Sequence, residues 1–267
     1  MPLAAARGAG LLTRPGAVRV PMVITAWFWI IKVLTTAQGE ATSDFFVHAV
    51  NPYLAVAGGL VVFVAVMALQ LRVQRYVAVV YWLTVTMVAI FGTMVADAIH
   101  IQLGIPYPVT SAGFAAITVI VFGLWYLTEG TLSIHSITTP RRELFYWAAV
   151  LATFALGTAW GDLMEFGAGW GGLLAGVFFL GMIAVPAVLH GVPRVNSILV
   201  FWWAYVITRP LGASFADWMG FPTSSHDLGW GHGTVSLFFT AFIVVGVLYL
   251  TVSGIDVREG DPPPERG

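Results

Sequence analysis

The sequence predicts an all-α integral membrane protein with eight transmembrane helices, arranged as four parallel two-helix repeats with both termini in the cytoplasm. Three observations lead to this prediction: an apolar composition, eight long apolar stretches, and one residue pattern that recurs four times. The chain of 267 residues is 58% hydrophobic and only 9% charged, whereas a soluble domain carries about 25% charged residues. Charged residues at this frequency could not cover a water-exposed surface. We therefore expect lipid to surround much of the chain.

Several classes of protein are excluded by what the sequence lacks. The formal net charge of −1 does not favour nucleic acid as a partner. The absence of cysteine excludes disulfides, thiolate metal sites and cysteine nucleophiles. The sequence also contains no phosphate loop, dinucleotide fingerprint, GxSxG turn or HExxH helix. Lys32 is the only lysine in an apolar stretch and lies in the first one, which excludes a retinal Schiff base in a last helix. We expect no cofactor.

Eight apolar stretches have the length of a membrane-spanning helix, which needs roughly 20 apolar residues. They lie at approximately 21–43, 52–70, 77–97, 109–128, 143–163, 170–190, 196–217 and 232–252. Because unpaired backbone groups are not tolerated in hydrocarbon, we expect helices throughout the membrane domain, 21–254. The flanking segments, 1–20 and 255–267, are predicted to be cytoplasmic tails. The second is polar and rich in proline, so we expect it to be disordered.

The basic residues indicate the direction of the spans. No Lys or Arg occurs in the loops after the odd-numbered stretches. Ten of the twelve basic residues lie in the tails or in the loops after even-numbered stretches: Arg7, Arg14, Arg19, Arg72, Arg75, Arg141, Arg142, Arg194, Arg258 and Arg266. Since basic loops stay on the cytoplasmic side, both termini should face the cytoplasm.

One pattern recurs four times without a gap: an aromatic residue, Trp, nine residues, Gly, four residues and Asp. The copies begin at Phe28-Trp29, Tyr81-Trp82, Tyr146-Trp147 and Phe201-Trp202. Each copy starts an odd-numbered stretch, which gives repeats at approximately 21–72, 76–130, 143–190 and 196–254. All four therefore point the same way across the membrane. Both a pseudo-fourfold ring and a pair of pseudo-dimeric halves fit this pattern.

This pattern resembles a family of bacterial multi-pass proteins built from four tandem two-helix repeats, which are described as membrane-anchored proteins containing a repeat of unknown function. The resemblance extends from about Trp27 to Leu250. It implies the repeat architecture and no settled activity. We therefore expect a multi-pass protein of a bacterial plasma (inner) membrane, in contact with membrane lipids.

The tryptophans and glycines of the pattern suggest structural roles. Aromatic pairs at a helix start suit the headgroup region, so we expect the tryptophans to mark the cytoplasmic interface. These repeat tryptophans are Trp29, Trp82, Trp147 and Trp202. Small residues let membrane helices approach closely, which explains the repeat glycines. They are Gly39, Gly92, Gly157 and Gly212. A helix break beside a binding site is the alternative, best supported where Pro210 precedes Gly212.

The aspartates of the pattern are the main functional candidates. Each follows its tryptophan by fifteen residues, or roughly 22 Å along a helix. An ionised carboxylate in a membrane is unfavourable unless it is paired or hydrated, so a bound cation, a proton or a basic partner should offset it. The alternative is a structural role, in which each Asp caps a following element or pairs with a neighbouring helix. These repeat aspartates are Asp44, Asp97, Asp162 and Asp217.

Two basic residues also lie inside predicted spans. In the first span Lys32 shares a helix face with Glu40 and Asp44, and in the fourth copy Arg209 shares one with Asp217. They are either counter-ions to these acids or charges that a transported cation displaces. Lys32 is close enough to the helix start that snorkelling to the interface is a further alternative.

Three titratable side chains near the outer ends of the spans form a weaker candidate set: His48, His100 and Glu165. They suggest a metal-capturing vestibule or a pH-sensitive gate. The alternative is that they are solvated loop residues.

We predict a transporter or channel for a small cation. Hard oxygen ligands favour H⁺, Na⁺ or a divalent metal such as Mg²⁺ or Mn²⁺. The predicted ligands are the four repeat aspartates with Glu40, and Lys32 and Arg209 would modulate their charge. A membrane enzyme acting on a lipid or isoprenoid is the first alternative, although its site would need unlike residues in the four copies. A membrane sensor or scaffold is the second. Homo-oligomerisation is left open.

Overall fold

The computed structural model describes residues 19–192 and 194–257, and within them the secondary structure is all helix, with no strand. Its long helices there are α1 (Ala26–Ala49), α2 (Pro52–Arg72), α3 (Ala78–Asp97), α4 (Tyr107–Glu129), α5 (Pro140–Asp162), α6 (Gly171–Leu189), α7 (Ser197–Gly220) and α8 (His232–Ser253). π-Helical turns extend α3 over Ala98–Gln102 and α5 over Leu163–Gly167. The predicted tails fall almost entirely outside the described residues.

Seven helices of the described chain, α2 to α8, are long and apolar enough to cross a membrane. The chain is therefore a multi-pass membrane protein. Helix α1 has 24 residues, but it carries three charged residues, Lys32, Glu40 and Asp44. Two of the three are nevertheless buried in the protein: Lys32 is 0% and Glu40 is 3% exposed.

The odd-numbered helices form a closed ring. Helix α1 packs against α3, α3 against α5, α5 against α7, and α7 returns to pack against α1. We call these four the inner helices. Of the two arrangements that the sequence allowed, the protein adopts the ring.

The even-numbered, outer helices each cover the inner helix of the next repeat. Helix α2 packs on α3, α4 on α5, and α6 on α7, while α8 crosses back to α1 and completes the circle. In the apolar 18-residue segment of α3, α5 and α7, between 61% and 67% of the residues are buried inside the protein. In the corresponding segments of the outer helices the share is 11% to 28%. The outer helices therefore present their apolar side chains to lipid, and the inner helices are shielded from it.

The repeat tryptophans connect neighbouring repeats. Three of them are almost fully buried, with Trp82, Trp147 and Trp202 exposed by 1%, 3% and 6%. Each repeat tryptophan packs on an aromatic residue of the copy before it around the ring, namely the one at the aromatic position of the pattern, directly before Trp. Trp82 of the second copy, for example, packs on Phe28 of the first. The ring-centroid distances are 5.4 Å for Phe28–Trp82, 5.7 Å for Tyr81–Trp147, 6.3 Å for Tyr146–Trp202 and 5.5 Å for Phe201–Trp29. Three of the four tryptophans therefore pack against neighbouring repeats and not against lipid headgroups. That the four mark the depth of the cytoplasmic interface stays a prediction.

The repeat glycines also lie between neighbouring inner helices. Each glycine faces one residue on the inner helix of the next copy. In every copy that residue stands seven positions after the repeat tryptophan. The pairs are Gly39 with Ala89, Gly92 with Phe154, Gly157 with Arg209, and Gly212 with Thr36. A Cβ atom at Gly92, for example, would lie 3.2 Å from the Cβ of Phe154. Helix α7 runs unbroken through Pro210 and Gly212, so the helix break considered from the sequence does not occur.

Candidate functional site

The side chain of Arg209 lies at the centre of the ring. It projects from α7, is 0% exposed, and contacts each of the other three inner helices. Its Nη2 donates to Thr158 Oγ1 at 2.7 Å and to the Thr93 hydroxyl, and forms an ion pair with Glu40. Its Nη1 donates to the Thr36 carbonyl at 3.3 Å. A charged group that is paired and hydrogen-bonded in this way can be retained in a low-dielectric interior.

The partners of Arg209 follow the repeat. Glu40, Thr93 and Thr158 each stand eleven residues after their repeat tryptophan, and α7 has Ala213 at that position. Three equivalent positions therefore converge on one guanidinium from the fourth copy. Together they fill the axis about one helical turn before the aspartates, which follow these positions by four residues.

The half of the ring nearer the tryptophans, the Trp end, is filled by Lys32 and aromatic rings. The Nζ atom of Lys32 lies 3.9 Å from the centroid of Phe154 and 4.2 Å from that of Tyr205, a cation–π arrangement. The hydroxyls of Tyr81 and Tyr146 are 2.6 Å apart. Within the described residues, no carboxylate lies within 4.0 Å of Lys32. Lys32 is thus neither a counter-ion to the acids nor a snorkelling side chain.

The four repeat aspartates lie at the opposite end, the Asp end. Asp217 and Asp162 are 3% and 9% exposed, while Asp44 and Asp97 are partly exposed. No described Lys or Arg lies within 4.0 Å of any of the four. Oδ1 of Asp217 is buried, and no residue in the described part of the chain forms a hydrogen bond with it. Capping of a local element, one half of the structural alternative, therefore finds no support at Asp217. The other half, pairing with a neighbouring helix, stays open there, because Asp44 of α1 lies beside Asp217.

A histidine that the sequence candidates did not include joins two of these aspartates. Ligand atoms of Asp44, Asp217 and His232 all lie within 4.8 Å of one another. Nδ1 of His232 is 3.2 Å from Oδ2 of Asp44. The imidazole occupies space left by Gly220, where a Cβ would lie 2.7 Å from Nδ1. Gly220 stands at the repeat position that His100 and Glu165 occupy in two other copies, so the missing side chain leaves room for His232, but the pattern does not point to that histidine.

The predicted vestibule residues are placed apart from this cluster or at its edge. His48 is exposed, and its Nδ1 lies 2.7 Å from the carbonyl oxygen of Asp44. Its ring stacks on that of His232 with centroids 6.2 Å apart. His100 contacts the Ile105 carbonyl and stacks on Tyr107, and Glu165 is 5% exposed. Among the residues that the structure describes, Asp44, Asp217 and His232 are the only set of three possible metal ligands at this spacing.

The Asp end does not keep the fourfold symmetry of the rest of the ring. π-Helical turns begin directly after Asp97 and Asp162 and carry His100 and Glu165. By contrast, α1 and α7 continue as α-helices beyond Asp44 and Asp217. π-Helical turns inside or at the end of helices are frequent at functional sites. The aspartates therefore form two kinds of environment, and the pair on α1 and α7 is the one beside histidine.

A family model described as a Repeat of Unknown Function (DUF347) matches the chain four times, at residues 27–76, 80–131, 145–195 and 200–256. The chain belongs to this family. Each match covers most of one inner helix and all of the outer helix that follows it. The resemblance found from the repeat pattern is thus confirmed. No curated protein and no solved structure matches the chain.

Proposed function

We propose that the protein is a transporter that moves a small cation, either H⁺, Na⁺ or a divalent metal such as Mg²⁺ or Mn²⁺, through the ring of inner helices. The repeat aspartates and Glu40 contact the cation, and Arg209 modulates their charge. In this proposal all eight helices span a bacterial plasma (inner) membrane, and both termini are cytoplasmic. No enzymatic activity or cofactor is part of it.

The observation that carries the proposal is the excess of acid in the ring. Five acidic side chains, the repeat aspartates and Glu40, lie on helices that carry only two buried basic ones. One of these, Arg209, pairs with Glu40, and the other, Lys32, lies among aromatic rings. The buried carboxylate of Asp217 has no cationic partner within the described chain. Charge in a membrane interior is costly when uncompensated, so a proton or metal cation is the natural partner.

The blocked axis favours a carrier over an open channel. Arg209 and Glu40 close the ring below the aspartates, and Lys32, Phe154 and Tyr205 fill the space beyond them. A cation at the Asp end could pass only if these contacts rearranged. Two alternating states in which Arg209 either pairs with Glu40 or releases it would meet that requirement. Parallel repeats related by an axis along the membrane normal are known in transporters.

The burial of α1 supports its assignment as the eighth span. It packs along α3, α7 and α8, each of which is apolar enough to cross a membrane. Because Lys32 and Glu40 are buried inside the ring, the two charges in the middle of α1 do not meet lipid. An even number of spans would place both termini on one side, and the basic residues of the loops favour the cytoplasm for that side.

An apolar cleft at the Trp end could hold a lipid, so it has to be weighed for the alternative of a lipid-processing enzyme. It has a volume of about 740 Å³ and lies between the first turns of α1 and α7, the end of α6 and residues 132–135. His135 and His190 line it, but no acidic residue does. Because the repeat aspartates lie at the other end of the ring, they could not act on a molecule bound there. The cleft therefore does not strengthen the enzyme alternative.

Flux measurements on reconstituted protein test the proposal. Proteoliposomes containing wild type or one of four single variants, Asp44→Asn, Asp97→Asn, Asp162→Asn and Asp217→Asn, would be assayed with fluorescent indicators for H⁺, Na⁺, Mg²⁺ and Mn²⁺. We expect wild type to move at least one of these ions and each variant to lose at least about tenfold of that flux. A tenfold loss of flux corresponds to about 1.4 kcal/mol of barrier height. This is less than the several kcal/mol by which an unpaired charge is disfavoured in a membrane.

Asp227→Asn is the matched control, because Asp227 lies in the loop between α7 and α8 and not in the ring. Its flux should equal that of wild type. If wild type moves none of the four ions, or if all four ring variants transport normally, the proposal is wrong. If one or two variants lose all activity and the others are silent, the equivalence of the aspartates is wrong and an enzyme-like site is favoured.

A further inference from the structure

The chain holds three potential metal ligands close together where α1, α7 and α8 meet. We propose that Asp44, Asp217 and His232 form a binding site for a divalent first-row transition-metal ion. The proposal rests on the proposed cation transport, because the site would load the ion at the Asp end of the ring. Its ligand set differs from the one that the sequence suggested, since His232 replaces the vestibule residues His48, His100 and Glu165.

The spacing of the ligand atoms is close to that of a metal centre. At the tetrahedral angle, two ligand atoms each about 2.1 Å from a metal ion lie roughly 3.4 Å apart. The separation of His232 Nδ1 and Asp44 Oδ2 is 3.2 Å. All three ligands lie within 4.8 Å of one another, so closure on an ion requires only a small side-chain movement of Asp217. Its Oδ1 is buried and has no hydrogen-bond partner among the described residues, so it is free to bind a ligand.

His232 is held in this position by the loop that joins α7 to α8. The amides of Leu228, Trp230 and Gly231 donate to the carbonyls of Trp218, Met219 and Gly220, so the loop folds back along the end of α7. Gly231 has a φ of 78°, a conformation that only glycine adopts readily, and it is the residue before α8. His232 therefore begins α8 directly beside Gly220.

A second contact fixes α8 against α1. The hydroxyl of Ser236, one turn after His232 on the same face, lies 2.6 Å from that of Thr42. Thr42 also accepts from Gln38 Nε2 at 2.7 Å. Because Asp44 follows Thr42 by two residues, this polar contact keeps the Asp44 carboxylate and the imidazole in register.

The charge and chemistry of the ligands select the class of ion. Two ionised carboxylates and one neutral imidazole carry a total charge of about −2, which neutralises a divalent cation. A neutral site is favoured because an uncompensated charge is costly in apolar surroundings. An imidazole ligand suits Zn²⁺, Co²⁺ and similar ions better than Mg²⁺, which prefers oxygen. Three protein ligands leave positions for water, as in sites whose ion must exchange.

Binding of Co²⁺ to the full chain in lipid nanodiscs tests this site. The visible absorption of Co²⁺ would report its coordination, and equilibrium dialysis would give its affinity, with Mg²⁺ as the comparison ion. We expect wild type to bind one Co²⁺ per chain with a nitrogen-containing, low-coordinate spectrum, and to bind Mg²⁺ at least about tenfold more weakly. His232→Ala and Asp217→Asn should each raise the Kd for Co²⁺ by about 10- to 100-fold. His190→Ala, which removes an exposed histidine at the Trp end, should change nothing.

His232→Gln serves as a second variant if His232→Ala does not fold, since it keeps a side chain against Gly220 without imidazole. Equal Co²⁺ affinity in wild type and in the folded His232 variant, or a fully hydrated Co²⁺ spectrum, would identify an adventitious ion only and overturn the inference. The proposed function would still stand if the aspartate variants lost H⁺ or Na⁺ flux. Conversely, specific Co²⁺ binding without any cation flux would sustain this site and refute transport.

Discussion

Gly157 lies directly against the side chain of Arg209. A Cβ at Gly157 would be 2.6 Å from the Arg209 Cβ and 3.0 Å from the Cδ of Pro210. The glycine of the third copy thus provides the space in which the arginine of the fourth copy leaves its helix and reaches the ring axis. A structural residue of the repeat and a candidate functional residue are therefore coupled by packing.

The first prediction concerns this contact. Gly157→Ala should destabilise the protein by about 1–3 kcal/mol, because the added methyl group overpacks the interface between α5 and α7. Gly181→Ala in α6 is the matched control, since a Cβ there meets no atom within 4 Å; the higher helix propensity of alanine should leave stability equal or slightly raised. Thermal unfolding of both variants in the same detergent measures the difference. Equal midpoints for the two variants would contradict the packing role of Gly157.

The second prediction concerns the ion pair of Arg209 and Glu40. Glu40→Gln should destabilise the protein by about 3–5 kcal/mol, because it leaves a buried guanidinium without its charge partner. In the double variant Glu40→Gln/Arg209→Met the buried charge is also removed, so much of that loss should be recovered.

A double-mutant cycle with Arg209→Met measures the coupling, from unfolding midpoints of the two single variants and the double variant. A double variant as unstable as the sum of the two singles would show that the pair is not coupled, and that Arg209 matters only through packing.

The repeat pattern was sufficient to predict the parallel two-helix units, because a ring repeats each contact four times and so leaves a fourfold signature in the sequence. Gly39 and Gly92, for instance, are needed for the same reason against different neighbours. The ring itself was not determined by the pattern, because contacts such as Phe201 on Trp29 join the last copy to the first. Sequence spacing within a copy does not contain that information.

The site could be predicted only where it follows the repeat. Each repeat aspartate stands at the same position of its own inner helix, and in α1 Glu40 is on the same face as Asp44. The fourfold pattern therefore predicts all five acids at one end of the ring. The partner of Arg209 remained ambiguous, because Glu40, Asp44 and Asp217 all fit a counter-ion and only packing between α1 and α7 selects Glu40. His232 was missed because it reaches the aspartates from an outer helix that belongs to the fourth copy and packs on the first.

The third prediction separates burial from membrane contact for two adjacent tryptophans of α7. Trp202 is 6% exposed, and its Nε1 donates to the Leu132 carbonyl at 2.9 Å. Trp203 is 44% exposed on the outside of the helix. Trp202→Ala should cost about 3–5 kcal/mol through the cavity it leaves, while Trp203→Ala should cost much less. Unfolding midpoints in detergent test this; equal losses would mean that Trp202 does not hold the repeats together.

The fourth prediction concerns a contact between the segment after α8 and the segment before α3. The hydroxyl of Tyr76 donates to Oδ2 of Asp256 at 2.6 Å. Burial raises the pKa of Asp256, and the hydrogen bond from Tyr76 opposes that rise only in part. The folded protein therefore holds this proton to a higher pH than the unfolded chain, whose Asp has a pKa of about 3.9. The stabilisation is complete below that value and is lost as the pH rises through the raised pKa of Asp256.

Asp256→Asn should remove this part of the pH dependence, because the amide stays neutral and still accepts the hydrogen bond from Tyr76. Unfolding midpoints measured from pH 4 to pH 8 should fall less steeply for the variant than for wild type, and the variant should be the more stable protein at neutral pH. Tyr76→Phe removes the donor that favours the ionised carboxylate, so the pKa of Asp256 should rise further and the loss should extend to higher pH. Parallel curves for wild type and Asp256→Asn would mean that Asp256 is solvated in the folded protein, and that the end of α8 is not held to α3 by this contact.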